Sequence, residues 1–226
     1  MAFQSAKRDL RKRMRLALSS LSATAITQQS ISATTKFLSL AEYQNAKSIA
    51  VYLSMPSGEL STAGIVHDAL KSGKQVYIPY IHTKDKTSVM DMLALGSTEF
   101  ESLQPDKWGI PSLQATQIEG RQNGLTQGLD LIVMPGMAFD HEFRRLGHGK
   151  GYYDHFLTQY SKQTSKMPFL GKKSQKSVYF PELNSMVVAL SLQDQLLSED
   201  IPVVEHDWLV DAIVVGDGRC LVRSAT

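Results

Sequence analysis

The chain has 226 residues, 42% of them hydrophobic and 20% charged, and a formal net charge of +2. That is enough apolar material for one α/β domain with a sizeable core, and the near-neutral balance speaks against a nucleic-acid-coating protein. No apolar run approaches the roughly 20 residues that cross a bilayer, and one cysteine, Cys220, cannot form an internal disulfide, which favours a reducing compartment.

The charge is unevenly spread. Lys7, Arg8, Arg11, Lys12, Arg13 and Arg15 stand against Asp9 alone in the first fifteen residues, so the remainder of the chain is net acidic. A basic arm on an acidic body implies an anionic ligand near the N-terminus. Asp9 is also the only acid in residues 1–40, which are rich in Ser, so a mitochondrial targeting peptide is an alternative to a folded helix. The expectation is a cytoplasmic monomer with no nucleic-acid or membrane partner.

Leu10, Met14, Ala17, Leu18 and Leu21 recur at helical spacing, which predicts an amphipathic helix over 5–20. Lys7, Arg11 and Arg15 then stack on one face at i, i+4, i+8. Three stacked cations repel one another, so the pattern calls for an anion. Ser22 or Thr24 caps a second predicted helix that runs to about Glu42. The apolar run 48–54 predicts a buried strand, and Met55-Pro-Ser-Gly58 a turn. A helix over 62–72, stopped by Gly73, precedes strands at 75–79 and 89–95, and 96–128 reads as loop with short helices. Leu129–Met134 is the strongest strand, Tyr152–Tyr160 a helix, and 161–185, rich in Lys and Ser, an exposed insertion. Strands follow at 186–192 and 212–215. Strands alternating with helices make an α/β fold, a mostly parallel sheet with helices on both faces. No repeat or linker divides it, so the whole of 1–226 reads as a single domain. Ligands of such sheets bind beyond the carboxyl ends of strands, where Glu59, Asp140 and the 145–154 segment could converge.

The segment Arg145-Leu-Gly-His-Gly-Lys-Gly-Tyr-Tyr-Asp154 carries the most chemistry. Glycines let backbone N–H groups approach phosphate oxygens, and successive amides form an anion-binding nest. The helix starting near Tyr152 adds its positive end. Arg145 and Lys150 add full charges, and Asp154 lies one turn in, close enough to hold Mg²⁺ against phosphate. The pattern is neither a Walker loop nor a dinucleotide fingerprint, and glycines alone also fit a surface turn. His141, His148 and His155 recur every seven residues, which is not zinc spacing. Ser54 and Ser57 lack a nucleophile-elbow context. Glu59 is either a helix-start carboxylate or a ligand-facing acid. Trp108-Gly-Ile-Pro111 is either a turn or an aromatic wall, and Cys220 is incidental.

Four blocks in order resemble the 5-formyltetrahydrofolate cyclo-ligase family: Lys7-Arg-Asp-Leu-Arg11, Leu53-Ser-Met-Pro-Ser-Gly-Glu59, Pro135 to Asp154, and Pro202-Val-Val-Glu-His-Asp207. The resemblance implies a three-layer NagB/RpiA/CoA-transferase-like fold and an ATP- and Mg²⁺-dependent cyclisation of folinate to 5,10-methenyltetrahydrofolate. It places Lys7, Arg8, Asp9, Leu10 and Arg11 on ATP, together with Arg145, Leu146, Gly147, His148, Gly149, Lys150, Gly151, Tyr152 and Tyr153. It places Arg11, Leu53, Met55, Glu59, Trp108 and residues 148–152 on the folate, with Lys150, Arg145 and Tyr152 catalytic. Asp154 and Asp207 would serve Mg²⁺. The chain departs from the family where His148 replaces a basic or small residue and where Ser112-Leu113 replaces Glu-Pro. Two other readings stay open: a different nucleotide-dependent kinase or ligase on the same scaffold, and a binding protein without turnover.

Overall fold

A computed structural model describes residues 2–163 and 185–224; the expected insertion at 161–185 falls almost wholly outside them. The helices are α1 (Ala2–Ser19), α2 (Ala23–Leu38), α3 (Ala41–Asn45), α4 (Ala63–Lys71), α5 (Gly124–Gln127) and α6 (Tyr152–Gln163). The strands are β1 (Ser48–Val51), β2 (Gln75–Lys84), β3 (Thr87–Leu95), β4 (Gln104–Pro105), β5 (Pro111–Ser112), β6 (Leu131–Met134), β7 (Ala138–Asp140), β8 (Arg145–Leu146), β9 (Met186–Ser191), β10 (Leu196–Leu197), β11 (Ala212–Val215) and β12 (Cys220–Val222).

The main sheet has the order β12-β11-β9-β6-β1-β2-β3. Its five central strands are parallel, while β12 and β3 run antiparallel at the two edges. Strand alternation produces the two faces. Ile49, Val51, Leu131, Val133, Val188 and Val214 pack under α1 to α4 with Met14, Phe37 and Ile65. Ala50, Ile132, Met134, Val187 and Ile213 pack under α5 and α6 with Leu125, Phe156 and Tyr160. The α/β expectation of a mostly parallel sheet covered on both faces therefore holds.

The chain goes from β1 outward to β2, then returns to place β6 on the other side of β1. Loops leaving β1 and β6 consequently diverge to opposite faces and open a crevice at the carboxyl edge, the usual ligand position in such sheets. The loop after β1 carries Leu53 to Glu59, and the chain after β6 carries the glycine segment.

Several boundaries differ from the sequence reading. The second helix does not reach Glu42: the Ser39 hydroxyl donates to the Lys36 carbonyl at 2.7 Å, Leu40 is extended, and α3 starts anew. β1 stops at Val51, its last residue paired with β6, and the next carbonyl, that of Tyr52, is taken by the Thr62 hydroxyl at 2.7 Å. β2 and β3 form one long antiparallel hairpin whose turn residues Asp85 and Lys86 both have positive φ, 48° and 65°. A turn of that hand normally announces itself with Asn-Gly or Asp-Gly, and here no glycine marks it. β12 and the small sheet β10-β7-β8 had no sequence reading at all.

Asp140 does not join the crevice. It is buried and organises the β7–β8 turn, accepting the Glu142 and Arg144 N–H groups, each at 3.0 Å, and Arg144 Nε at 2.7 Å. This turn also shows that the glycine segment does not leave β6 directly.

Beyond β3, Glu99 accepts both Arg121 Nη atoms at 2.7 Å and the Gly96 N–H at 2.7 Å. The Arg121 hydrogen bonds, then the Gly96 N–H, hold the Glu99 carboxyl down to about 2 from an ordinary 4.5. A depressed folded-state value means its stabilisation is present above pH 4.5 and is lost as pH falls toward 2. Glu99→Gln is expected to lower urea resistance at pH 7, by less than about 1 kcal/mol because the carboxylate is one-third exposed. The gap between variant and parent should close by about pH 2, as urea midpoints at both pH values would reveal.

Candidate active site

Helix α1 is amphipathic for two reasons at once. Leu10, Met14 and Leu18 are buried in the core, which fixes its rotation. That rotation aims Lys7 and Arg11 at the carboxyl edge. Arg11 Nε donates to the Gly147 carbonyl at 2.8 Å, and Lys7 forms an ion pair with Asp207. Burial pushes the Arg11 pKa down and Arg15 adds to this, while Asp207 opposes it. Arg15 is exposed, and Arg13 pairs with Glu199 instead. The basic N-terminal stretch is thus an integral wall of the crevice. Arg8 and Asp9 are exposed and 3.9 Å from each other, and Leu10 belongs to the core.

The glycine segment follows β8. Leu146 is buried, so only its backbone faces outward. Gly149 and Gly151 have φ of +101° and +70°, values an L side chain resists, and a Cβ at Gly149 would press on Arg11. His148 and Lys150 are exposed, and no ion pair or hydrogen bond holds Lys150 among the described residues. The Lys150 ammonium is free to meet a ligand.

Arg145 is buried. It donates to Asp154 Oδ2 at 2.8 Å and to the Pro135 carbonyl at 3.3 Å. Asp154 Oδ1 accepts the Trp208 N–H at 3.0 Å, which brings the neighbour of Asp207 against the first turn of α6. Both oxygens of Asp154 are engaged, whereas Asp207 Oδ2 takes Lys7 and the Val204 N–H at 2.7 Å and Oδ1 has no hydrogen bond among the described residues. Among the described residues no group of three or more His, Cys, Asp or Glu side chains could hold a metal unaided. Magnesium typically uses one or two carboxylates and completes its shell with water and phosphate oxygens, so Asp154 and Asp207 fit an ion carried in with a polyphosphate.

Glu59 is buried. Its carboxylate accepts the Met55 N–H at 2.9 Å and lies 3.4 Å from His148 Nε2. It closes the turn after β1 and faces the glycine segment, rather than capping α4. Burial raises the pKa of Tyr153, with Arg145 opposing and Glu59 adding to the rise. Arg145 Nε and the Tyr153 hydroxyl are buried without a hydrogen-bond partner among the described residues. Native proteins rarely leave such groups unpaired, and the two side chains adjoin, with Arg145 Cζ 5.7 Å from the Tyr153 ring centroid.

Leu53 is buried and Met55 half-buried. The Trp108 turn comes close to them: Gly109 has φ +79°, and a Cβ there would sit 2.7 Å from Pro56 Cγ. Trp108 is 51% exposed with Lys107 Nζ 4.3 Å from its ring centroid, an open aromatic face beside the crevice. Ser112 lies in β5 and Leu113 is buried. The Tyr152 hydroxyl is 2.9 Å from Ser88 Oγ at the hairpin tip. Sequence reasoning missed Ser88 because the hairpin itself carried no glycine signal.

The profile of the 5-formyltetrahydrofolate cyclo-ligase family matches residues 3–216. A mouse protein named 5-formyltetrahydrofolate cyclo-ligase is 36% identical over 215 residues, 94% of this chain and 95% of that one. A Schizosaccharomyces pombe protein named probable 5-formyltetrahydrofolate cyclo-ligase is 32% identical, covering 92% and 94%. In fold, the chain resembles the Aquifex aeolicus 5,10-methenyltetrahydrofolate synthetase, with a TM-score of 0.71 at 24% identity over 97% of this chain and 96% of that one. With one family profile running across all four motif blocks and the crevice that joins them, this chain belongs to the 5-formyltetrahydrofolate cyclo-ligase family of enzymes.

Proposed function

We propose that the chain cyclises 5-formyltetrahydrofolate to 5,10-methenyltetrahydrofolate, with ATP consumed to ADP and phosphate and Mg²⁺ as cofactor. Family membership supports the folate chemistry. The observation that carries the nucleotide part is the 2.8 Å hydrogen bond joining Arg11 to Gly147, since it brings two cation-bearing segments side by side.

The formyl group on N5 is amide-like, and its oxygen does not leave unaided. Attack by that oxygen on the γ-phosphorus displaces ADP and leaves the formyl oxygen phosphorylated, with the formyl carbon electrophilic and doubly bonded to a cationic N5. The N10 lone pair then adds to this carbon, the N10 proton is released, and phosphate departs as the ring closes. Phosphoryl transfer of this kind depends on positioning and charge neutralisation more than on a protein nucleophile. Lys7 and Arg11 hold the phosphate chain from one side. The amides of 147–151 and the start of α6 hold it from the other. Arg145, buried and oriented by Asp154, and the free Lys150 stabilise charge on the transferred phosphoryl group. Asp154 and Asp207 would hold Mg²⁺, which would supply charge neutralisation on the polyphosphate. Glu59 accepts from the pterin N–H groups, Met55 and Trp108 flank its rings with Leu53 behind, and Tyr152 faces the formyl group. Because α1 packs into the core, we read the N-terminal basic stretch as a folded part of the enzyme.

The direct assay is absorbance at the methenyl product band. The chain with folinate, ATP and Mg²⁺ is expected to generate it, and omitting ATP is expected to abolish it. Folinate binding without that band would support a binding protein instead. Lys150→Ala is expected to lower kcat by about a hundredfold or more with folinate affinity retained; unchanged kcat removes this lysine from the chemistry. Asp154→Asn is expected to raise the Mg²⁺ concentration needed for half-maximal turnover, and an unaltered magnesium titration counts against metal ligation there.

A further inference from the structure

Four of the six side chains that the nucleotide reading assigns to phosphate and metal are already paired with one another. Lys7, a phosphate cation, sits on Asp207, a metal carboxylate; Arg145 sits on Asp154 at 2.8 Å in the same way. Lys7 and Asp207 are only 12% and 13% exposed, so water screens their pairing weakly. We infer that the Lys7–Asp207 pair makes this site select magnesium-bound triphosphate over metal-free triphosphate.

A metal-free triphosphate can recruit Lys7 only by taking it from Asp207. The stranded carboxylate then faces the phosphate chain in a poorly hydrated setting, and like charges there repel strongly. Magnesium without nucleotide meets the converse difficulty, because capturing Asp207 strands Lys7. When both arrive, the pairs exchange: the ammonium passes from carboxylate to phosphate, and the carboxylate passes from ammonium to metal. No charge is left unpaired at the end. Each ligand therefore raises the affinity for the other by the same factor. The Val204 N–H on Asp207 Oδ2 keeps that carboxylate in place throughout the exchange, and Oδ1 is the atom that already lacks a partner among the described residues. The inference deepens the nucleotide reading of this site and rests on it.

The test is calorimetric titration of the full chain with a non-hydrolysable ATP analogue, once in excess Mg²⁺ and once in EDTA. Asp207→Asn keeps an acceptor for Val204 but gives up its charge and its hold on Lys7. It is expected to bind the metal-free analogue about threefold or more tightly than the parent. It should bind the magnesium form more weakly, so the difference between the two conditions shrinks. In a Lys7→Met background the gain from Asp207→Asn should largely vanish, because there is no cation left to release. Metal-free binding by Asp207→Asn no tighter than the parent overturns the inference. So does a gain that persists in full without Lys7, which would reduce Asp207 to bulk repulsion. Should Asp207→Asn lose its cooperative thermal transition, Asp207→Ser serves in the same cycle with the same two outcomes. A parent that binds the analogue under neither condition removes the nucleotide reading and this inference together; a parent that binds, with the variant unchanged, removes this inference alone.

Discussion

One hydrogen bond, from Arg11 Nε on the first helix to the Gly147 carbonyl, spans 136 residues of sequence and decides where the basic arm of this protein lies. It is available only because Leu10, Met14 and Leu18 lock the opposite side of α1 into the core. The apolar stripe therefore does more than hold a helix. It converts a run of mutually repelling cations into one wall of a crevice whose other wall is a glycine nest.

The crevice itself follows from strand order. Placing β1 beside both β2 and β6 forces the loops that follow β1 and β6 apart at the carboxyl edge. One loop supplies Glu59, buried and facing His148. The chain beyond β6, after the β7–β8 turn, supplies Arg145, Lys150 and the amides between them. The acid that suits a neutral, hydrogen-bond-donating ring system thus lies 3.4 Å from His148, within the segment that carries the cations suited to a phosphate chain. A reaction joining a folate oxygen to a terminal phosphate requires such a meeting. Arg145 and Tyr153 each keep a buried polar atom lacking a partner among the described residues.

Much of this was legible in the chain itself, for identifiable reasons. The helical spacing of Leu10, Met14 and Leu18 and the apolar run at 131–134 reflect burial, and burial leaves a periodic mark. Gly149 and Gly151 were conspicuous because left-handed backbone selects glycine. What escaped notice was structure without a local mark. The Asp85–Lys86 turn adopts left-handed backbone with no glycine, so the hairpin and Ser88 were invisible. Asp140 follows a strand and looked like a crevice residue, yet it spends its lone pairs on its own turn. The partners of Asp154 and Asp207 also lay beyond sequence reasoning, since ion pairs between residues 200 apart, such as Lys7 and Asp207, leave no spacing to read.

The claim on which this account turns is that α1 and the glycine segment hold the same triphosphate. A crystal structure of the chain with Mg²⁺ and a non-hydrolysable ATP analogue tests it most directly. The account predicts β- and γ-phosphate density between Lys7 and Arg11 on one side and the 147–151 amides on the other. Phosphates that touch only one of these segments, or that lie at another edge of the sheet, would contradict it.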